Sequence, residues 1–158
     1  MPTFLQIVDL PAGSFEDKGW LPVKSISQSV TTEIGKYESP GKPRNIPYSE
    51  AGDMEVKRTF DRASVWLQSA CASGELLKGV NLVFSRADEK EFYLKIEMKN
   101  CYISEFGVDI SDGEDPEETV KFNYESVVWK FRPKNKAGKL LDWMQGGWDR
   151  FEKKAITG

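Results

Sequence analysis

Apolar and polar residues alternate with a period of two along much of this chain, the pattern of strands that bury one face. Met54, Val56, Arg58 and Phe60 share one parity. Val80, Leu82 and Phe84 form a second run. After a polar turn at 86–90 come Phe92, Leu94, Ile96 and Met98, with Lys95, Glu97 and Lys99 on the opposite face. These last two runs predict an antiparallel hairpin. Residues 101–110 continue as a further strand, and 111–118 read as an acidic loop. Near the N-terminus, 4–10 predicts a first strand closed by Pro11-Ala12-Gly13. Residues 20–30 predict a second of mixed parity, with Trp20, Lys24, Ile26, Gln28 and Val30 on one face and Leu21 and Val23 on the other.

Three segments depart from simple alternation. Over about 61–73, Ala63, Trp66, Leu67, Ala70 and Cys71 recur at helical spacing. Asp61 is placed to cap the free N–H groups at the start of this helix, and Gly74 to end it in a left-handed turn. The apolar stripe reads as core packing. Between residues 120 and 131 the strand changes phase: Val120, Phe122 and Tyr124 alternate on one face, and Val127, Trp129 and Phe131 on the other. Either a bulge sits near Ser126, or both faces are covered at different points along the strand. Residues 31–52 hold Pro40, Pro43 and Pro47 and predict no central strand. A stretch of that length is either a surface loop or an extended arm that becomes ordered against another subunit.

The count comes to about seven or eight strands and one helix. The predicted fold is mainly β: a small antiparallel β-barrel or two-sheet sandwich with one flanking α-helix (about 61–73) and a long extended arm (about 31–52). Trp20, Asp61, Trp66, Leu67, Gly74, Phe122, Tyr124 and Trp148 define it. At 158 residues the chain is expected to be a single domain, 1–158, with no fused effector domain.

Composition then removes several functions. A net charge of −3 leaves no basic surplus for phosphates, so no nucleic-acid partner is expected. The N-terminus has no basic region followed by a long apolar run, and no stretch is long enough to span a membrane. Neither a cleaved signal peptide nor membrane insertion is expected. The chain has no histidine, which takes away the commonest general base, the usual catalytic zinc ligands and the Ser-His and Cys-His pairs together. A Gly-rich phosphate loop and a nucleophile elbow are also missing. The acidic segment 109–115 resembles a calcium loop only until Gly113 is set at the sixth position. Val108 then falls at the first, where a carboxylate is required. Phe92-Tyr93 with Lys95 reads as core plus solvent face and not as a stacking platform for single strands. Cys71 and Cys101 lack metal or redox spacing and read as a buried, reduced pair acting as small hydrophobes. No enzyme, cofactor or metal is expected.

Four blocks in order resemble the haemolysin-coregulated protein family, Hcp, of bacterial type VI secretion systems. They are Asp17-Lys18-Gly19-Trp20-Leu21-Pro22-Val23; Phe60-Asp61-Arg62-Ala63-Ser64 with Leu67 and Ala70-Cys71-Ala72-Ser73-Gly74; Phe92-Tyr93-Leu94-Lys95-Ile96; and Phe122-Asn123-Tyr124 with Trp129-Lys130-Phe131 and Gly147-Trp148-Asp149. The resemblance implies a β-barrel subunit that closes into homo-hexameric rings. The rings stack into an inner tube inside a contractile sheath, alongside spike and baseplate proteins, and small effectors travel in the lumen. It also implies a protein made in the bacterial cytoplasm and secreted without a cleaved signal peptide.

Segment 31–52 departs from the Gly/Ser-rich stretch common in the family. Its Lys36, Tyr37, Lys42, Arg44 and Tyr48 are candidate subunit contacts, carried over as a region. Val127, Trp129 and Phe131 join them through the phase change. The competing reading is a monomeric β-barrel adaptor or effector-binding module that forms no tube.

Overall fold

The structure, a computed structural model, describes residues 3–8, 20–33, 48–85, 91–152 and 154–157. The strands are β1 (Thr3–Ile7), β2 (Trp20–Pro22), β3 (Ser25–Ser27), β4 (Val30–Glu33), β5 (Tyr48–Ala51), β6 (Met54–Thr59), β7 (Leu77–Ser85), β8 (Phe92–Asp109), β9 (Glu117–Phe131), β10 (Met144–Asp149) and β11 (Lys154–Thr157). The single helix among the described residues, α1 (Arg62–Ser73), lies between β6 and β7. All pairing is antiparallel. The main sheet runs β11-β10-β9-β8-β7-β1-β2, and a branch β3-β6 joins it at β9.

The helix forms where its spacing predicts. Ala63 donates its backbone N–H to Asp61 Oδ1 at 3.0 Å, and the Asp61 N–H reaches Ser64 Oγ at 2.9 Å, a reciprocal cap. Gly74 ends the helix at φ 67, where a side chain would be strained. Ala63, Leu67 and Ala70 are buried, and Trp66 and Cys71 pack beside them. Both cysteines are free thiols.

The fold is the expected mainly β one with a single helix, and among the described residues the antiparallel sheet does not close into a continuous ladder. Residues 20–30 are not one strand either. They bend from β1 to β6 and divide into β2, β3 and the start of β4. At the corner, Val23 donates its N–H to Thr3 O at 3.0 Å and Lys24 to Lys57 O at 2.8 Å. Two single hydrogen bonds thus span the gap between β1 and β6, and the mixed parity of the segment records the turn. Within the curve lies one core of Leu5, Leu21, Val56, Leu67, Leu82, Met98, Phe122 and their neighbours. Each large apolar side chain buried there contributes about 1.5–3 kcal/mol.

Residues 101–109 are not a separate strand, because β8 runs on through them to Asp109, and Ile110 lies beyond its end. The phase change on β9 is shared with β8. Met98 pairs with Val127 and Cys101 with Tyr124, and all four side chains are buried. Both strands therefore step three residues between inward positions at the same level. No slip of register occurs at Ser126, so of the two alternatives the structure does not show a bulge there. Asn100, at φ 51, marks the step on β8, and its side-chain amide donates to Glu125 Oε2 at 2.5 Å. Asparagine tolerates this left-handed conformation better than most residues. The register slips elsewhere, between Ile103 and Glu105, leaving Ser104 as the extra residue.

At the base of segment 31–52, β4 and β5 form a ladder from Val30↔Ala51 to Glu33↔Tyr48. The remainder, with Lys36, Tyr37, Lys42 and Arg44, lies outside the described residues.

Candidate assembly surface

Strand β9 has different partners along one edge. Residues from Glu117 to Phe122 pair with β6, and those from Ser126 to Phe131 pair with β10. Where the two partners diverge, at Tyr124 and Glu125, a polar junction fills the fork. The Tyr124 hydroxyl donates to Gly52 O and accepts from Gln28 Nε2, both at 2.7 Å. Trp129 Nε1 donates to Gln28 Oε1 at 3.0 Å. Asp53 accepts from Asn123 Nδ2 at 3.0 Å, Arg150 Nη1 at 3.2 Å and Ser104 Oγ at 3.0 Å. The Arg150 guanidinium lies 4.9 Å from the Tyr124 ring centroid.

A cavity of about 440 Å³ opens over this junction, lined by residues that include Gln28, Asp53, Glu55, Lys121, Asn123 and Arg150. Gly52 donates its N–H to Ser29 O at 2.7 Å, so the β4–β5 ladder springs from the same place. Asp53 is engaged by three donors, and Lys121 pairs with Glu105 at 2.9 Å. The junction anchors the root of the arm.

A second polar cluster lies under the start of α1. Arg58 Nη2 reaches Asp61 Oδ2 at 2.5 Å, and its Nε donates to Pro22 O at 3.0 Å. Ser64 Oγ donates to Glu118 Oε1 at 2.6 Å. Glu118 is buried, with no partner for Oε2 among the described residues. Burial pushes its carboxyl above the ordinary glutamate range, opposed by the Ser64 hydrogen bond and the Arg58 charge. Sequence reading placed Glu118 in an exposed acidic loop, whereas it belongs to β9. Its even parity with Val120, Phe122 and Tyr124 was the available signal.

The remaining predicted contact residues separate in space. Val127 is 0% exposed, so its side chain offers no surface to a partner. Trp129 is half-buried against the core. Phe131 is 40% exposed, meets Tyr93 edge-on at 6.1 Å, and pairs across the ladder with exposed Met144. Tyr48 lies in β5 opposite Glu33. Of the fold-defining set, Phe122 and Tyr124 are buried, Trp66 and Trp148 pack on the core, and Trp20 meets Phe92 at 5.8 Å. Met144, Leu141 and Ile110 are exposed as well, and no apolar period in the sequence singles them out as surface residues.

The model of the family described as "Type VI secretion system effector, Hcp" matches residues 4–131. The chain belongs to the Hcp family. No curated protein matches it. Among solved structures, one described as a type six secretion system protein superposes with a TM-score of 0.85 at 23% identity, covering 98% of this chain and 99% of that one. Hcp1 from Salmonella typhimurium gives 0.75 at 24% identity, covering 98% of each chain. A type VI secretion system effector from Yersinia pestis gives 0.70 at 19% identity, covering 93% and 98%. At these identities the structures speak for the Hcp fold alone, and the family match carries the rest. The four sequence blocks thus identify an Hcp-family tube protein of the type VI secretion system. No helix among the described residues is long and apolar enough to cross a membrane.

Proposed function

We propose that this chain assembles into homo-hexameric rings that stack as the inner tube of a type VI secretion system, with small effectors carried in the lumen. It acts by assembly and performs no chemistry of its own. It is made in the bacterial cytoplasm, works with sheath, spike and baseplate proteins, and leaves through the apparatus without a cleaved signal peptide. Hcp membership over residues 4–131 is the observation that carries this reading.

Two features of the subunit support it. The main sheet ends on β2 and β11, two different edges among the described residues. Cyclic rings join unlike patches of neighbouring subunits, and open edges favour pairing. Exposed Phe131 and Met144 also lie side by side on β9 and β10. Phe131, the half-buried Trp129 and the arm residues Lys36, Tyr37, Lys42, Arg44 and Tyr48 are the contact candidates.

Light scattering across a dilution series tests the ring. Six times 17.9 kDa, or about 107 kDa, is the expected mass. A constant 17.9 kDa species at every concentration would favour the monomeric adaptor instead.

A further inference from the structure

The two ends of the β8–β9 ladder carry opposite charge. The acidic turn 110–116 joins the strands at one end, where Asp109 pairs with Glu117. At the other end β9 finishes at Phe131 and runs into a basic hairpin. Fifteen residues of strand separate the two features, at most roughly 50 Å.

Both ends have defined backbone hydrogen bonding and carry charge of one prevailing sign. In the turn, Gly113 takes φ 80 and Glu114 donates its N–H to Ser111 O at 3.2 Å. Asp109, Asp112, Glu114 and Asp115 are exposed and make no ion pair among the described residues. Glu117 differs, being engaged by Lys24 with Lys57 nearby. In the hairpin, Asn135 Oδ1 accepts the backbone N–H groups of Ala137 and Lys139, each at 2.9 Å, and Lys134 bridges to Leu140. Lys134, Lys136 and Lys139 are exposed, and the latter two make no ion pair among the described residues. Asp142 is the single acid between Arg132 and Met144. An apolar side chain stands beside each charged group: Ile110, 76% exposed, at the acidic end and Leu141, 47% exposed, at the basic end.

Asp112, Glu114 and Asp115 on one turn, with Asp109 at its edge, repel each other, and Lys136 and Lys139 on one short hairpin do the same. A second copy, placed end to end, relieves both. We infer that the acidic 110–116 turn of one copy docks on the basic 132–141 hairpin of the next, forming the contact between stacked rings, with Ile110 against Leu141. The inference rests on the tube reading and adds a direction to it. One ring face is acidic and the other basic, so like faces repel and rings stack in one sense only. Complementary charge of this kind sets orientation and encounter rate, and salt screens it.

Two charge-reversed chains test this, Lys136→Glu with Lys139→Glu, and Asp112→Lys with Glu114→Lys. All substituted positions are exposed, and circular dichroism checks that each chain folds. Sedimentation and electron microscopy then separate rings from stacks. Wild-type rings should stack at about 0.05 M salt and separate toward about 0.5 M. Each variant should keep its rings but fail to stack alone, and an equal mixture of the two should stack again. Stacks that ignore salt, variants that stack alone, or a mixture that does not recover would overturn the inference while leaving rings intact. So would loss of the rings in folded variants, which places the contact inside the ring. A wild-type chain that stays monomeric removes the tube reading itself, and this inference with it.

Discussion

Arg58 Nη1 donates to Glu118 Oε1 at 2.6 Å, and both side chains are fully buried. The two residues face each other directly across the β6–β9 ladder. Through Asp61, Ser64 and Pro22 the pair also ties in the start of α1 and the end of β2. One buried charge cluster therefore joins the helix, the sheet branch and the corner where the ladder fails to close.

Removing one partner strands the other. Arg58→Ala should destabilise the fold by about 3–5 kcal/mol, because an uncompensated carboxylate stays inside. Replacing both residues, Arg58→Met with Glu118→Leu, should cost far less, since an apolar pair leaves no buried charge unpaired. Urea unfolding of the three chains checks the order.

The Glu118 carboxyl also titrates differently in the folded chain. Its folded pKa is raised by burial, so the folded state holds the proton more tightly than the unfolded chain. The stabilising contribution is then full below the unfolded value, roughly 4.3. It is lost as pH rises through the folded value. Wild type should lose stability relative to Glu118→Gln over that window. Unfolding free energies of both chains from pH 3 upward measure the difference.

Gly147 pairs with Val128 on β9, and a Cβ there would collide with the Val127 carbonyl oxygen. Gly147→Ala should cost about 1–3 kcal/mol by forcing β10 away from β9. Gly146→Ala, whose Cβ meets nothing within 4 Å, is the control and should be much milder. Thermal unfolding distinguishes them.

Burial pushes the Cys101 thiol up to about 12, whereas Cys71 is partly exposed on α1. Because the thiolate is the nucleophile, iodoacetamide at pH 8 should modify Cys71 first and leave Cys101 intact. Mass spectrometry of the folded and urea-unfolded chain should give one adduct and then two.

The helix was legible in full because both its ends are local: Asp61 and Ser64 three residues apart, and Gly74 at the stop. The β7–β8 hairpin was legible for the same reason, since alternation and a short polar turn lie within one stretch of chain. Strands β10 and β11 escaped notice because Gln145, Gly146 and Gly147 interrupt any apolar period. Of the predicted contact residues, Val127 and Phe131 have the same parity but opposite exposure. Alternation reports the side of a strand and not how far the core extends along it.

The sequence by itself determined the helix and its caps, the alternating strands and the Hcp family, all of which depend on neighbours in the chain. Tertiary structure alone decided what depends on distant ones. The corner from β2 to β3 follows from where β1 and β6 come to lie, which no local pattern encodes. The fork of β9 needs β6 and β10 to share one edge, although about 90 residues of chain separate them. Glu118 became a buried charge only because Arg58, sixty residues earlier, arrives opposite it. Charge patterns read as solvent-facing until the chain supplies a partner from afar.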